Sequence, residues 1–377
     1  MKAVTPETVR RRLRESATAA VAVAALLVCS SSVQAVPTST DSSAFDAVPL
    51  NQISVSGLHN AYERSKGASI ADGLNKGARL LELDVYTTYG GEHGWIVSHT
   101  NPLANDNNCQ YTPGSGALGS LSSSGSAGGS GSAGGSGDFS QCLDALRSWS
   151  DSTPGHDPIY LKIELKWGFR GRAGMGPAQL DRLVADHLGR NKVFAPADLL
   201  GPGHRTLDEA VADSGWPAWN QLRGKFILYP ITGTVENVLA DYELDNVSTE
   251  QEYANHLDRL AAAGQADRAM MFPAMSSAAG NGDPRTRYEA RLRPWFVVFD
   301  DQAADWLGDP NLPFYCANRY LTVATGADGV PPALAADADP AAVAQRVQSL
   351  AETIHPSATT FDWMHVPAAF AVRSRAC

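Results

Sequence analysis

Short apolar runs typical of β-strands recur along the chain, and stretches with helical periodicity lie between many of them. Strands that alternate with helices indicate βα units and a parallel sheet. About eight such units predict a TIM-like (β/α)₈ barrel in one α/β domain, with a doubly wound sheet as the alternative. The strand-like runs cover residues 52–58, 79–86, 95–100, 158–165, 225–231, 269–275, 295–301, 319–325 and 358–364.

A segment made almost entirely of Gly, Ser and Ala interrupts this pattern at residues 113–137. Such a composition cannot bury a core. Residues 49–112 offer only a few strands and one helix, which is too little to fold alone. We therefore interpret the segment as a disordered loop inserted into a single domain spanning residues 49–377.

The N-terminus has the pattern of a secretory signal peptide. Basic residues precede the apolar stretch 17–28, and "VQA" has the small residues of a cleavage site, which places the cut after Ala35. The apolar stretch is shorter than the roughly 20 residues needed to span a bilayer. We therefore expect a secreted protein, with residues 36–48 as a flexible mature N-terminus.

Four cysteines follow the expected cleavage site: Cys109, Cys142, Cys316 and Cys377. An even number in an exported chain indicates two disulfides, and no CxxC or Cys/His cluster favours zinc. Chain order favours Cys109–Cys142 and Cys316–Cys377, which is one of three possible pairings. The first bond would close the base of the Gly/Ser-rich loop.

The overall composition suits a soluble enzyme, with 44% hydrophobic and 19% charged residues. The formal net charge of −10 argues against nucleic acid as a partner and against adhesion to an anionic membrane by bulk charge. Local contact with lipid stays open.

Polar residues collect where the first strands of the predicted barrel end, and that edge carries the active site in barrels of this kind. His59 and Asn60 follow the first strand, and His99 lies in the run 95–100. The second strand carries Glu82 and Asp84, whose spacing of two puts both carboxylates on one face. By the same spacing, one face of strand 158–165 and its extension presents Lys162, Glu164 and Lys166.

These side chains suggest a metal-assisted reaction. Two neighbouring carboxylates repel each other, and a divalent cation relieves that repulsion. The oxygen-only set favours a hard cation, Ca²⁺ or Mg²⁺, and two histidines beside it can move protons near neutral pH. This combination suits phosphodiester cleavage. The alternatives are a solvent-facing strand for the Glu-x-Asp pair and an ion-pair ladder for the Lys-Glu-Lys set. The candidate ligands are Asn60, Glu82, Asp84 and Glu164.

Five segments together resemble the catalytic half of the calcium-dependent phosphoinositide-specific phospholipase C family, including its secreted bacterial members. They are "GLHNAYE", "GARLLELDVY", "IVSHT", "PIYLKIELK" and "QLRGKFILYP", and they span about residues 50–232. The resemblance implies a TIM-like barrel and a phosphatidylinositol-type lipid substrate. It also implies diacylglycerol and a cyclic or free inositol phosphate as products.

The resemblance assigns roles to individual residues. It implies that His59 hydrogen-bonds the phosphate in the transition state and that His99 is the general acid that protonates the diacylglycerol oxygen. It also implies that the four candidate ligands bind Ca²⁺ and that one of the acidic ones helps to deprotonate the inositol 2-hydroxyl. The choice of Ca²⁺ over Mg²⁺ depends on this resemblance. Candidate substrate-binding residues are Lys162, Lys166 and Arg170.

One feature narrows the expected substrate, and two alternative functions stay open. The eukaryotic enzymes of this family resemble each other in having lysines that hold the ring phosphates. This chain has Tyr229, Pro230 and Ile231 at the corresponding positions, which favours a head group without ring phosphates. The "IELK" form is shared with glycerophosphodiester phosphodiesterases, which usually open with His-Arg-Gly rather than His-Asn. A non-catalytic secreted barrel that binds lipid or sugar is the alternative of another class.

The expected partner is a phospholipid or glycerophosphodiester substrate, reached by transient contact with a membrane surface, with no obligate protein partner evident. Near the ends of late strands, Asp300 and Asp362 fit a role in orienting a histidine or holding a sugar hydroxyl, and they fit helix caps or surface acids equally well. Trp295 and Trp363 fit an inositol pocket or lipid contact, but core packing is favoured.

Overall fold

The strands of the computed structural model follow the predicted order closely. They are β1 (Thr38–Ser39), β2 (Ile53–Leu58), β3 (Leu80–Thr87), β4 (Trp95–Val97), β5 (Ile159–Leu165), β6 (Phe226–Thr232), β7 (Ala274–Met275), β8 (Val298–Gln302), β9 (Leu321–Thr325), β10 (Ala358–Phe361) and β11 (Val372–Ser374). The structure describes residues 38–39, 42–88, 91–103, 107–109, 138–236, 247–277 and 282–377. The expected signal peptide and the loop 113–137 lie outside these residues.

Helices cover the barrel between the strands. They are α1 (Ile70–Asn75), α2 (Phe139–Ser152), α3 (Pro177–Val184), α4 (Pro196–Leu200), α5 (Leu207–Asp213), α6 (Thr249–Ala262), α7 (Ala303–Trp306), α8 (Leu312–Ala317) and α9 (Pro340–Thr353). Within the described residues, no helix is long and apolar enough to cross a membrane.

Eight parallel strands form a nearly closed barrel in the order β6–β5–β3–β2–β10–β9–β8–β7. The two ends of this path meet where the Phe272 N–H donates a hydrogen bond to the Leu228 carbonyl, at 2.9 Å. The described residues all belong to one compact unit. The predicted TIM-like (β/α)₈ fold is therefore confirmed.

Two predicted strands differ from the observed ones. β4 pairs antiparallel with β3, so the run 95–100 forms a hairpin arm beside the barrel and adds no barrel strand. The run 269–275 shortens to β7, because the Met270 and Met271 N–H groups donate to the Asp181 carboxylate and the Tyr253 hydroxyl. These backbone donors therefore bond to helix side chains instead of a neighbouring strand.

Both expected disulfides, Cys109–Cys142 and Cys316–Cys377, are formed. The first joins the segment 107–109 to α2. In the same segment the Asn108 side-chain amide donates to the carbonyls of Ala61, Glu63 and Gly67, at 3.1 to 3.3 Å. The base of the Gly/Ser-rich insertion is therefore fixed to the loop that follows β2.

The strands β3 and β5 are buried along their whole length on both faces. Their outward residues pack under helices, as expected for a parallel sheet covered on both sides. Their inward residues include carboxylates, which are costly to bury unless they are paired or bind a cation.

Candidate active site

The register of β3 and β5 brings the predicted acidic residues together inside the barrel. Glu82 lies opposite Lys162, and Asp84 lies opposite Glu164. All four side chains are buried. Glu82, Asp84 and Glu164, here called the acidic cluster, each offer an oxygen within 4.8 Å of the others.

One oxygen of each carboxylate in this cluster contacts a lysine ammonium. The Lys166 ammonium lies 2.8 Å from Asp84 Oδ2 and 2.8 Å from Glu164 Oε1. The Lys162 ammonium lies 3.3 Å from Glu82 Oε1. The other oxygens of Glu82 and Asp84, Oε2 and Oδ1, are buried and have no hydrogen-bond partner among the described residues.

Unpartnered buried carboxylate oxygens are expensive, and a hard cation satisfies them. The charge count agrees with a divalent ion. The acidic cluster and Asp300 bring four negative charges when ionised, whereas Lys162 and Lys166 bring two positive ones. Burial, together with the nearby Glu164 charge, raises the pKa of Asp84 to about 7. The residues present therefore fit a divalent cation.

Asn60 lies at the same end of the barrel, directly after β2. It is buried and has a left-handed backbone with φ of 48°, a conformation that Asn tolerates better than most residues. The Tyr62 hydroxyl lies 3.4 Å from Asn60 Oδ1 and donates to Asp84 Oδ2 at 2.9 Å. Asn60 thus offers an oxygen beside the acidic cluster.

His59 contacts an acid that directly follows the last barrel strand, β10. Its Nδ1 lies 3.4 Å from Asp362 Oδ1, and the Lys66 ammonium lies 2.5 Å from the same oxygen. Burial of the ring opposes protonation, but the hydrogen bond to Asp362 and the nearby carboxylates outweigh it and raise the pKa of His59 to about 9. His59 is therefore an imidazolium at neutral pH.

Replacing Asp362 by asparagine should lower the titration midpoint of His59 well below its pKa of about 9. The substitution removes the Asp362 charge that favours protonation, whereas burial and the Lys162 charge continue to oppose it and Glu82 continues to favour it. Imidazole NMR of the metal-free protein measures the midpoint, with His59→Gln to identify the signal. An unchanged midpoint would show that Asp362 does not set the charge of His59.

His99 stands at the exposed rim of the barrel, two residues past β4. The Ser98 N–H donates to the Asp84 carbonyl at 3.2 Å, and the Tyr86 hydroxyl donates to the His99 carbonyl at 3.0 Å. The antiparallel arm thus brings His99 beside the strand that carries the acidic cluster. His99 lines a cavity of about 550 Å³ with Tyr62, Arg64 and Thr100.

The other candidates have specific contacts. Lys162 donates to Asp300 at 2.9 Å and to Thr325 at 2.6 Å, so it lies within the barrel interior. Arg170 is buried and donates to the Thr87 carbonyl at 3.2 Å. Trp295 and Trp363 are buried, and their indole N–H groups donate to the Asp258 carboxylate and the Ala335 carbonyl.

Sequence reasoning did not find Tyr62, Lys66 or Thr325. Tyr62 and Lys66 lie in the irregular loop after β2, where no periodicity marks an inward side chain. The strand position of Thr325 was a usable signal, because it ends β9 at the edge that carries the site.

Comparisons with known proteins identify a related family. A family model for Ca²⁺-dependent phosphoinositide phospholipase C matches residues 133–251. A Ca²⁺-dependent phosphatidylinositol-specific phospholipase C from Streptomyces antibioticus is 41% identical, with a TM-score of 0.77 over 87% of this chain and 99% of that chain. A search of curated protein sequences finds no match.

Two structures of a calcium-dependent phosphoinositol-specific phospholipase C from a Pseudomonas species show the same fold. One, a myoinositol complex, is 21% identical, with a TM-score of 0.60 over 88% of this chain and 96% of that chain. Another is 22% identical, with a TM-score of 0.59 over 89% of this chain and 100% of that chain.

The fold and the site thus define a phosphodiesterase barrel. The chain belongs to the Ca²⁺-dependent phosphatidylinositol-specific phospholipase C family, as its similarity to the Streptomyces structure along most of its length shows. The family suggested by the sequence segments is confirmed, and its calcium dependence agrees with the buried acidic cluster.

Proposed function

We propose that this protein cleaves the phosphodiester of phosphatidylinositol and releases diacylglycerol and a cyclic inositol phosphate, which water can then hydrolyse. One observation carries the proposal: within the part of the chain that the structure describes, the acidic cluster has buried oxygens without a hydrogen-bond partner, at the barrel edge where His59 and His99 lie. Membership of the family supports the same activity.

The residues that would hold Ca²⁺ are Asn60, Glu82, Asp84 and Glu164. When bound there, the ion stabilises charge on the phosphoryl oxygens and makes a nearby hydroxyl more acidic. The two lysines beside the cluster fix the carboxylates from their other side, so the free oxygens of Glu82 and Asp84 keep one orientation. Such preorganisation avoids a reorganisation cost during the reaction.

His59 is assigned to the phosphate. As an imidazolium it donates a hydrogen bond to a phosphoryl oxygen, and this bond strengthens as negative charge grows in the transition state. Asp362 keeps the ring charged, and Lys66 holds Asp362 in place at 2.5 Å. These two residues position the histidine and need not touch the substrate.

His99 is assigned to the leaving group. The oxygen of the inositol 2-hydroxyl forms a bond to phosphorus, and the bond from phosphorus to the diacylglycerol oxygen breaks. A carboxylate of the acidic cluster takes the hydroxyl proton, and the His99 imidazolium gives its proton to the leaving oxygen. The exposed position of His99 at the rim suits a group that meets the lipid side of the substrate.

The head group is proposed to be inositol without ring phosphates. Tyr229 is buried, and its hydroxyl donates to Asp300 at 3.0 Å, so the side chain is hydrogen-bonded inside the barrel. Ile231 follows on the same strand, and neither side chain brings the positive charge that a ring phosphate requires.

Secretion completes the proposal. Two disulfides suit an oxidising compartment outside the cytosol. We propose that residues 1–35 are a signal peptide cleaved after Ala35. The substrate is a membrane lipid, so the rim around His99 would meet the bilayer transiently.

The decisive experiment measures phosphorus-containing products from phosphatidylinositol vesicles by ³¹P NMR, with Ca²⁺ or with excess EDTA. We expect turnover only with Ca²⁺, a cyclic phosphate signal first, and much slower cleavage of phosphatidylinositol bisphosphate. Cleavage of glycerophosphocholine in preference to the lipid would favour the glycerophosphodiester phosphodiesterase alternative. Calcium binding without turnover of either substrate would favour the non-catalytic barrel.

A further inference from the structure

We propose that Lys166 is a built-in counter-ion of the calcium site. Its ammonium holds Asp84 and Glu164 together when no metal is bound, and its charge weakens the binding of Ca²⁺. The inference rests on the proposed function, because it assumes that the acidic cluster is the calcium site.

The contacts of Lys166 are those of a fully enclosed ion. Its three ammonium protons have three acceptors: Asp84 Oδ2 at 2.8 Å, Glu164 Oε1 at 2.8 Å and Thr234 Oγ1 at 3.1 Å. Only 5% of the residue is exposed. A lysine has three donors, so no ammonium proton is left for a substrate phosphate.

The backbone position of Lys166 places its ammonium beside the acidic cluster. Lys166 directly follows β5, and its N–H donates to the Val85 carbonyl at 2.9 Å, which continues the ladder between β3 and β5. The side chain therefore lies on the same inward face as Glu164 and Lys162, which are two and four residues earlier. Its place is set by strand register and not by a mobile loop.

The arrangement has two opposing consequences. Without metal, the ammonium screens the repulsion between Asp84 and Glu164, so the barrel edge stays assembled. With metal, the same ammonium is a like charge beside the ion and reduces the net charge of the ligands. Ligand charge count is a main determinant of calcium affinity in protein sites. Removing this one positive charge should therefore tighten calcium binding.

The test replaces Lys166 by methionine, which has similar length and no charge. Calorimetric titration of metal-free protein should show a Kd for Ca²⁺ at least about tenfold lower than that of the wild type. The difference in Tm between EDTA and saturating Ca²⁺ should grow by roughly 2 °C, because tenfold tighter binding adds about 1.4 kcal/mol to the stability of the calcium-bound variant.

Two matched variants isolate the cause. Lys166→Arg keeps the charge, and it should bind Ca²⁺ with nearly the wild-type Kd. Lys66→Met removes a buried lysine that contacts Asp362 instead of the acidic cluster, and it should change the calcium Kd less than threefold. If Lys166→Met folds only with Ca²⁺, competition with a chromophoric chelator gives its Kd, and that requirement itself supports the screening role.

Two failures are distinguishable. If the wild type shows neither calcium binding nor calcium-dependent turnover, the proposed function is wrong. If the wild type binds Ca²⁺ but Lys166→Met binds it equally or more weakly, with an unchanged Tm difference, the inference about Lys166 alone is overturned.

Discussion

Replacing His99 by alanine is expected to lower the turnover of phosphatidylinositol by about 10²–10⁴-fold, the usual contribution of a general acid. The diacylglycerol oxygen is a poor leaving group unless it receives a proton. Because His99 is exposed at the rim and contacts the barrel through backbone hydrogen bonds, the substitution should leave the fold intact. Vesicle turnover at saturating Ca²⁺ measures the loss.

A second substrate with a better leaving group distinguishes a loss of proton donation from a structural effect. An inositol phosphodiester of nitrophenol needs no proton on its leaving oxygen, so His99→Ala should cleave it within about tenfold of the wild-type rate. An equal loss on both substrates would contradict the assignment.

His93→Ala is the matched control, since this exposed histidine lies on the turn before the same hairpin arm and pairs with Asp138. We expect it to turn over both substrates as the wild type does.

Replacing Glu82 by glutamine should raise the Kd for Ca²⁺ by at least about 100-fold, because losing even an outer-shell contact commonly costs 10- to 100-fold in metal affinity. The substitution keeps the shape of the side chain and an oxygen that accepts from Lys162, but it removes the charge from the unpartnered oxygen. Calorimetry measures the Kd directly, and turnover should fall at micromolar Ca²⁺ and recover in part at millimolar Ca²⁺.

Glu63→Gln controls for net charge. This half-buried acid lies near the same edge and pairs with Ser65 instead of the cluster. Its calcium Kd should stay within about threefold of the wild type, since solvent weakens charge interactions near the surface. A similar Kd for Glu82→Gln and the wild type would show that Glu82 does not bind the ion.

Local pattern predicted the half of the site that lies on β3 and β5. The two-residue spacing of Glu82, Asp84, Lys162 and Glu164 determines which face each side chain occupies, and a parallel register then brings the faces together. Both strands are long and apolar, so the pattern was easy to identify. The alternating order of strands and helices likewise predicted the barrel.

The contacts around His59 form only when the barrel closes, and no local sequence pattern predicts that closure. Asp362 reaches His59 only because β10 pairs with β2, across about 300 residues of chain. From sequence, Asp362 fitted a helix cap or a surface acid equally well. The role of Lys66 could not be predicted for the same reason, since its partner Asp362 lies near the far end of the chain.

The clamp at the base of the Gly/Ser-rich insertion has a practical consequence. Cys109–Cys142 and the Asn108 amide fasten the flanks of that insertion to the loop carrying Asn60 and Tyr62. We expect that segments of different length, or an entire foreign module, inserted between the two anchored flanks will leave the spacing of the reactive groups unchanged. This position is therefore a suitable insertion site for attaching the enzyme to a bead or a reporter.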